Sequence, residues 1–276
     1  MAQVYFKDKF IEETEAKVSI ADRSFRFGDG VFETLLIHNK NIFDFNTHYQ
    51  RLSDGLKAYY IDIDVSNLEK LCKELINLNQ LVTGYIRIII SRGKNGPGSI
   101  GYLPKNCKPY MIIQSFEKEL PKFSILKLWL SPYRSHQSLS SKVNSSANYV
   151  LSMLEADHNS CHNALILDTK GNICETGSGN IYWFKDSKLY TPEPGLAFVP
   201  GTVQKKILKL FDGEIVQGKF KLEDIKSAEE VFMSNIGTLI AGVESISSQE
   251  ELIYENPSNN FSKMLKLREK LMSLLS

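Results

Sequence analysis

The sequence predicts an α+β protein built in two parts, and three observations carry that expectation. Strand-like runs rich in β-branched residues, such as Tyr85 to Ser91 (YIRIIIS), are interspersed with stretches of helical spacing, such as Leu68, Leu71, Leu75 and Leu78. The 276 residues suffice for two modest domains at roughly 150 residues each. A charged stretch that contains Pro121, EKELPKF at 117–123, has the composition of a linker. The expected organisation is therefore 1–116, a linker at 117–123, and 124–276.

The elements follow in order. Lys17 to Ile20 and Val31 to Ile37 read as strands around a polar turn, Ala21 to Gly30, and His38 to Asn41 turns into a strand at Ile42 to Phe45. Thr47 is the expected N-cap of a helix with Leu52, Leu56 and Tyr59 on its apolar side and Arg51 beside them. Ser66 is the expected cap of a second helix. Tyr85 to Ser91 is a candidate central strand. The stretch 92–109 holds four glycines and Pro97 and Pro104, a length of loop that is usually functional. Tyr110 to Phe116 is another strand.

Beyond the linker come a strand at Ser124 to Leu130 and a helix near Asn148 to His158. Two strand–turn–strand units follow, one around 169–172 and one around Asp186-Ser187. Gly201 to Phe211 enters a helix, Val231 to Ser234 and Leu239 to Val243 are short strands, and Phe261 to Leu275 is a closing amphipathic helix.

Composition excludes whole classes of function. Lys plus Arg number 33 against 32 Asp plus Glu, a net charge of +1, so the basic excess of a nucleic-acid binder is missing. With 42% hydrophobic and 24% charged residues the chain is globular in composition. Cys72, Cys107, Cys161 and Cys174 form no CxxC pair, which favours a reducing compartment. The first residues offer no apolar signal region, and no run approaches the ~18 residues of a membrane span. The expectation is a cytoplasmic protein with neither a nucleic-acid nor a membrane partner.

A few residues stand out chemically. Lys142 is the only charged residue between Arg134 and Glu155, set among small hydroxyl and amide side chains in SLSSKVNSSANY. A desolvated lysine has a lowered pKa and an amine free to form Schiff bases, whereas a solvated lysine in a serine-rich loop does neither. Glu175, in ICETGSGNIYWF, is either a buried partner for a cation or an exposed charge at a turn. Gly201-Thr202 entering a helix is a natural phosphate seat, to which an arginine such as Arg51 would add a bidentate grip, although Gly-Thr is also an ordinary helix start. His158 and His162 lie four apart, but Asn159 stands where HEXXH needs a glutamate, and no metal is expected. RFGDG matches neither glycine-rich nucleotide loop and is set aside.

Taken together, DRSFRFGDGVFETL (22–35), HYQRL (48–52), SLSSK with NYVLSMLEA ending at Ala156, NALILDTKGNICETGSGNIYWF (163–184), LYTPEPGLAFVPGT (189–202) and AEEVFMSN (228–235) resemble the class IV, or fold type IV, pyridoxal-phosphate enzymes. That family holds branched-chain and D-amino-acid aminotransferases and aminodeoxychorismate lyase. The resemblance spans Asp22 to about Ile246. It implies a two-domain α+β fold like that of D-amino-acid aminotransferase, a cofactor in the cleft between domains, and a homodimer acting on a small-molecule amine. Lys142, carried on the second domain, would be the Schiff-base lysine that also moves the substrate's α-proton. Glu175 would hold the pyridine nitrogen protonated. Arg51, Gly201, Thr202 and the backbone N–H groups of Ile236 and Gly237 would bind the phosphate, with Asn180 also at the cofactor. Phe32, Arg92, Lys94 and Tyr149 are candidates for the substrate side.

Departures bear on the substrate. The phosphate loop reads Gly201-Thr202-Val203-Gln204 where relatives have Gly-Ile-Thr-Arg, so the hydroxyl has moved by one position. Tyr149 stands two residues farther from Lys142 than in the branched-chain enzymes. Pro97-Gly98-Ser99 replaces the Arg-x-His set of the D-amino-acid enzymes. ISRGKNGPGSIGY (90–102) and MSNIGTLIAGV (233–243) resemble the lyase. The leading expectation is 4-amino-4-deoxychorismate lyase, which releases pyruvate and 4-aminobenzoate for folate biosynthesis. The rivals are a branched-chain or D-amino-acid transaminase and a catalytically silent binding protein on the same fold.

Overall fold

The computed structural model describes residues 2–135, 141–258 and 260–275. Residues 138–140 of the SLSSK motif lie outside that set. The chain divides into two units, Met1–Leu120 with Ser140–Ser146, and Pro121–Leu139 with Ala147–Ser276.

The first unit is built on a six-stranded antiparallel sheet. Its elements are β1 (Gln3–Phe6), β2 (Lys9–Glu12), α1 (Arg23–Phe27), β3 (Gly30–His38), β4 (Asn41–Ile42), α2 (Phe45–Ala58), α3 (Leu68–Leu78), β5 (Gly84–Ser91) and β6 (Tyr110–Glu117), with sheet order β2-β1-β6-β5-β3-β4. β5 is central, as its β-branched run predicts. Pleating sends Val31, Leu35, Ile86, Ile88, Ile90, Met111 and Ile113 to one face, all buried. Helices α2 and α3 cover the sheet through Leu52 and Leu56, and through Leu68, Cys72, Leu75 and Ile76.

Three local expectations are corrected here. Lys17–Ile20 forms no strand; Asp22 instead caps α1, its carboxylate accepting from the N–H groups of Ser24 and Phe25. Helix α2 starts at Phe45 after Asp44, which adopts a left-handed backbone (φ 51°) and whose carbonyl receives the N–H groups of Thr47 and His48, so neither Thr47 nor a strand reaching Phe45 is needed. Asn67, not Ser66, occupies the N-cap position of α3.

The position of Lys142 is a larger correction. The sequence places it with residues 124–276, but Ser140–Ser146 group with the first unit. The reason is backbone pairing: Phe32 N–H donates to Lys142 O (3.0 Å), Asn144 N–H donates to Gly30 O (2.9 Å), and Val143 bridges Val31. Gly28, with φ +65°, is needed beneath this segment, since a Cβ there would stand 2.5 Å from Ser145 Cα. The FGDG run is thus a seat for the lysine segment.

The second unit has β7 (Ile125–Leu130), α4 (Ala147–His158), β8 (Asn163–Leu167), β9 (Ile173–Thr176), β10 (Asn180–Lys185), β11 (Lys188–Pro192), α5 (Thr202–Leu210), β12 (Ile215–Gly218), α6 (Leu222–Lys226), β13 (Glu230–Asn235), β14 (Leu239–Ser247), β15 (Leu252–Glu255) and α7 (Ser262–Met272). The sheet runs β12-β11-β10-β13-β14-β7-β8-β9, with β15 beside β14. Trp183, Ile181, Val231, Val243, Leu165 and Leu128 form the centre of its apolar core. The Asp186-Ser187 turn, with both residues left-handed, joins β10 to β11 as expected.

Helix α7 is docked through its first turn: the buried Glu230 carboxylate accepts from the N–H groups of Lys263 (3.0 Å) and Met264 (2.9 Å). Glu230→Ala should cost about 1–2 kcal/mol, the usual range for a lost helix cap. Urea unfolding would read the loss, and hydrogen exchange would find it concentrated in α7.

Candidate active site

In the first unit, Lys142 lies against β3. Its Nζ stands 4.9 Å from the centroid of Phe32, and the guanidinium of Arg87 stands 5.1 Å from the same ring. Phe32 and Arg87 reach the same side because Phe32 pairs with Ile89 and Thr34 with Arg87, so the pleat turns all four away from the α2 side of the sheet. Arg87 is exposed.

On the opposite side of β3, Glu33 is buried and collects three donors. Arg51 binds it in a fork (Nε to Oε1 2.6 Å, Nη2 to Oε2 2.7 Å), and His48 Nδ1 lies 2.8 Å from Oε2. Burial alone would raise the Glu33 carboxyl, but the Arg51 guanidinium and His48 hold it down to about 2. His48 Nε2 is buried without a hydrogen-bond partner among the described residues.

Arg92 is committed within the unit. It binds Asp29 through Nε (2.9 Å) and the carbonyls of Tyr59 and Tyr60 through its two other nitrogens. Lys94 is exposed, at an isolated backbone bridge to Asp22.

In the second unit, Glu175 is 3% exposed near the end of β9. The Tyr149 phenol donates to its Oε1 (2.6 Å) and the Val199 N–H donates to its Oε2 (3.3 Å). Burial and the Glu175 charge hold the Tyr149 phenol protonated, well above its ordinary range. Asn180 donates to Val199 O (3.0 Å), so the Val199 backbone is held through both its N–H and its C=O.

Gly201 is the N-cap of α5, and Gln204 Oε1 accepts its N–H (3.3 Å). Thr202 and Val203 open the helix, buried, with no side-chain cap for the first turn. Ile236 and Gly237 lie in the turn from β13 to β14. There Asn235 Oδ1 already receives the Gly237 N–H (2.8 Å) and the Thr238 N–H (2.7 Å), so the Gly237 amide is less available than its place in the motif suggests. His162 Nδ1 accepts from the Lys127 N–H (2.9 Å), and His158 ends α4.

Residues 30–246 match the family described as amino-transferase class IV. The chain belongs to the class IV aminotransferase family. Enzymes of this family work with pyridoxal 5′-phosphate. A Methanocaldococcus jannaschii protein with the provisional name branched-chain-amino-acid aminotransferase is 29% identical, over 90% of this chain and 88% of its own. The D-alanine aminotransferase of Staphylococcus haemolyticus is 25% identical over 91% of each. The crystal structure of the Escherichia coli branched-chain amino acid aminotransferase shares the fold with a TM-score of 0.89, at 24% identity and over 100% of this chain and 94% of that one. The fold of this class IV member is therefore fold type IV, as expected.

Sequence reasoning passed over Glu33, Arg87 and Ser141, and met His48 only as part of the HYQRL motif. Glu33 and Arg87 had a signal: each is a charged residue inside an apolar strand run, GVFETLLI and YIRIII. His48 stands one helical turn before Arg51, on the same side of α2. Ser141 had no signal beyond being next to Lys142.

Proposed function

We propose that this class IV enzyme is an amino-acid aminotransferase that passes an amino group between an amino acid and a 2-oxo acid, using pyridoxal phosphate. The observation that carries the reading is the pair of cations, Lys142 and Arg87, at the ring of Phe32. An amine for the covalent chemistry then lies beside a guanidinium suited to a carboxylate.

The remaining donors fit the cofactor. Glu175, buried yet receiving a phenol and a peptide N–H, is a charged partner suited to a pyridinium nitrogen. The first turn of α5 at Gly201, Thr202 and Val203 suits a phosphate, and the Arg51 guanidinium is of the kind that grips one. Ile236 and Asn180 belong to the same proposal. When bound, the cofactor supplies the electron sink for cleavage at the substrate's α-carbon. Lys142 would anchor it covalently and, once displaced by the substrate amine, move the α-proton. Arg87 would hold the side-chain carboxylate of a dicarboxylic partner, such as glutamate or 2-oxoglutarate.

The test is amino-group exchange between single L- or D-amino acids and 2-oxoglutarate or pyruvate, read by mass spectrometry. Arg87→Gln should raise KM for 2-oxoglutarate roughly tenfold or more while leaving that for pyruvate nearly unchanged. Equal effects on both oxo acids would remove Arg87 from this role.

The lyase reaction is the second reading, favoured by the segments ISRGKNGPGSIGY and MSNIGTLIAGV. It would use the same lysine and carboxylate. Pyruvate released from 4-amino-4-deoxychorismate with no 2-oxo acid present would establish it. A homodimer belongs to the proposal as well, supported by the exposed apolar side chains Phe25, Ile100, Tyr102 and Leu103. So does a cytoplasmic setting, supported by four free cysteines; no helix among the described residues is long and apolar enough to cross a membrane.

A further inference from the structure

We propose that Ser141 is a positioning residue that sets the reach of the Lys142 amine by tying the lysine segment to the helix that carries Arg51. The proposal rests on the assignment of Lys142 and Arg51 as the covalent and phosphate anchors of the cofactor.

Ser141 is buried, and its hydroxyl donates to the backbone carbonyl of Arg51 at 2.8 Å. That carbonyl lies in the middle of α2, so the bond is to a rigid element. One helical turn on, Gly55 makes room for the contact. A Cβ at 55 would stand 2.7 Å from Ser141 Cβ and 2.8 Å from its Oγ, with Val31 Cγ1 at 3.3 Å closing the other side. Immediately after Ser141, Lys142 O and Val143 are bound to β3. The lysine backbone is therefore pinned on both sides, to α2 before it and to β3 after it.

This arrangement has a chemical consequence. A molecule held covalently at one end and through a phosphate at the other needs its two anchors at a fixed separation, and small displacements of a reacting group lose much of the rate. The Ser141–Arg51 bond joins the backbone of the second anchor to the residue beside the first. Its loss should leave each anchor intact while spoiling their spacing.

The experiment titrates the full-length protein with two ligands. Pyridoxamine phosphate engages the phosphate and ring contacts but forms no bond to the lysine, whereas pyridoxal phosphate also needs the lysine. In Ser141→Ala, pyridoxamine phosphate affinity should stay within about twofold while covalent attachment, trapped by borohydride and mapped to residue 142, slows about tenfold, on the scale of one lost hydrogen bond. Gly55→Ala should give the same split by displacing Ser141, and Ser141→Gly should relieve the Gly55→Ala defect in the double variant. Should Gly55→Ala fail to fold, Ser141→Ala decides alone. A parallel loss of both affinities, or attachment at the wild-type rate, overturns the proposal. A wild-type label away from Lys142 overturns the underlying assignment too, so the two failures are distinguishable.

Discussion

Lys142→Ala is expected to abolish covalent cofactor attachment and to lower turnover by about ten-thousandfold or more. The variant loses both a nucleophile and a proton carrier, and the described neighbours do not replace them: the adjacent Val143 is apolar and bridges Val31, and Arg87, at the same ring, offers a guanidinium rather than an amine. The protein should remain folded, because the segment is held by its backbone through Lys142 O, Asn144 N and Val143, none of which the substitution touches. The informative comparison is between binding and chemistry. Equilibrium dialysis should still detect pyridoxamine phosphate, whereas borohydride should trap no labelled peptide around residue 142. Substantial residual turnover would remove Lys142 from the chemistry.

The second large effect falls on stability. Glu33→Gln should destabilise the first unit by about 3–5 kcal/mol at neutral pH, because it removes the carboxylate charge from the buried fork with Arg51. The pH dependence gives a sharper signature. The Glu33 carboxyl titrates near 2 in the folded protein, below the ordinary 4.5, so its contribution is complete above about 4.5 and is lost as pH falls toward 2. The wild type should shed that stability through the acid window, and the glutamine variant, already without it, should not. The gap between their urea midpoints should therefore narrow as pH falls. A gap constant from pH 7 to 3 would show that Glu33 does not carry the charge ascribed to it. Phosphate affinity should drop in the same variant, since Arg51 is no longer held in its fork.

Much of this was legible in the sequence, and the reasons for the exceptions are local. β5 and β3 announced themselves through β-branched runs, and Asp186-Ser187 through the short polar break between two apolar strands. The hairpin of β1 and β2 did not, because its turn residues Lys7 and Asp8 are both left-handed without a glycine to signal it. The start of α2 was misread because Asp44 caps through its carbonyl in a left-handed conformation, while Thr47 looked the better side-chain cap. Lys142 and Glu175 stood out by their neighbours and Arg51 by its HYQRL motif, whereas Arg87, the one charge in YIRIII, was read only as part of its strand. The allegiance of the lysine segment could not be read at all, since its partners Gly30, Val31, Phe32 and Arg51 precede it by about ninety residues or more.

The assignment of residues 140–146 to the unit formed by the first 120 has a consequence for how the protein is made. A ribosome must deliver over half of the polypeptide before the earlier unit owns all its parts, and by then the opening strand of the later unit, β7, has already emerged. Neither unit is a continuous stretch of message. Severing the gene after codon 120 would yield one piece without its lysine and another bearing an orphaned strap.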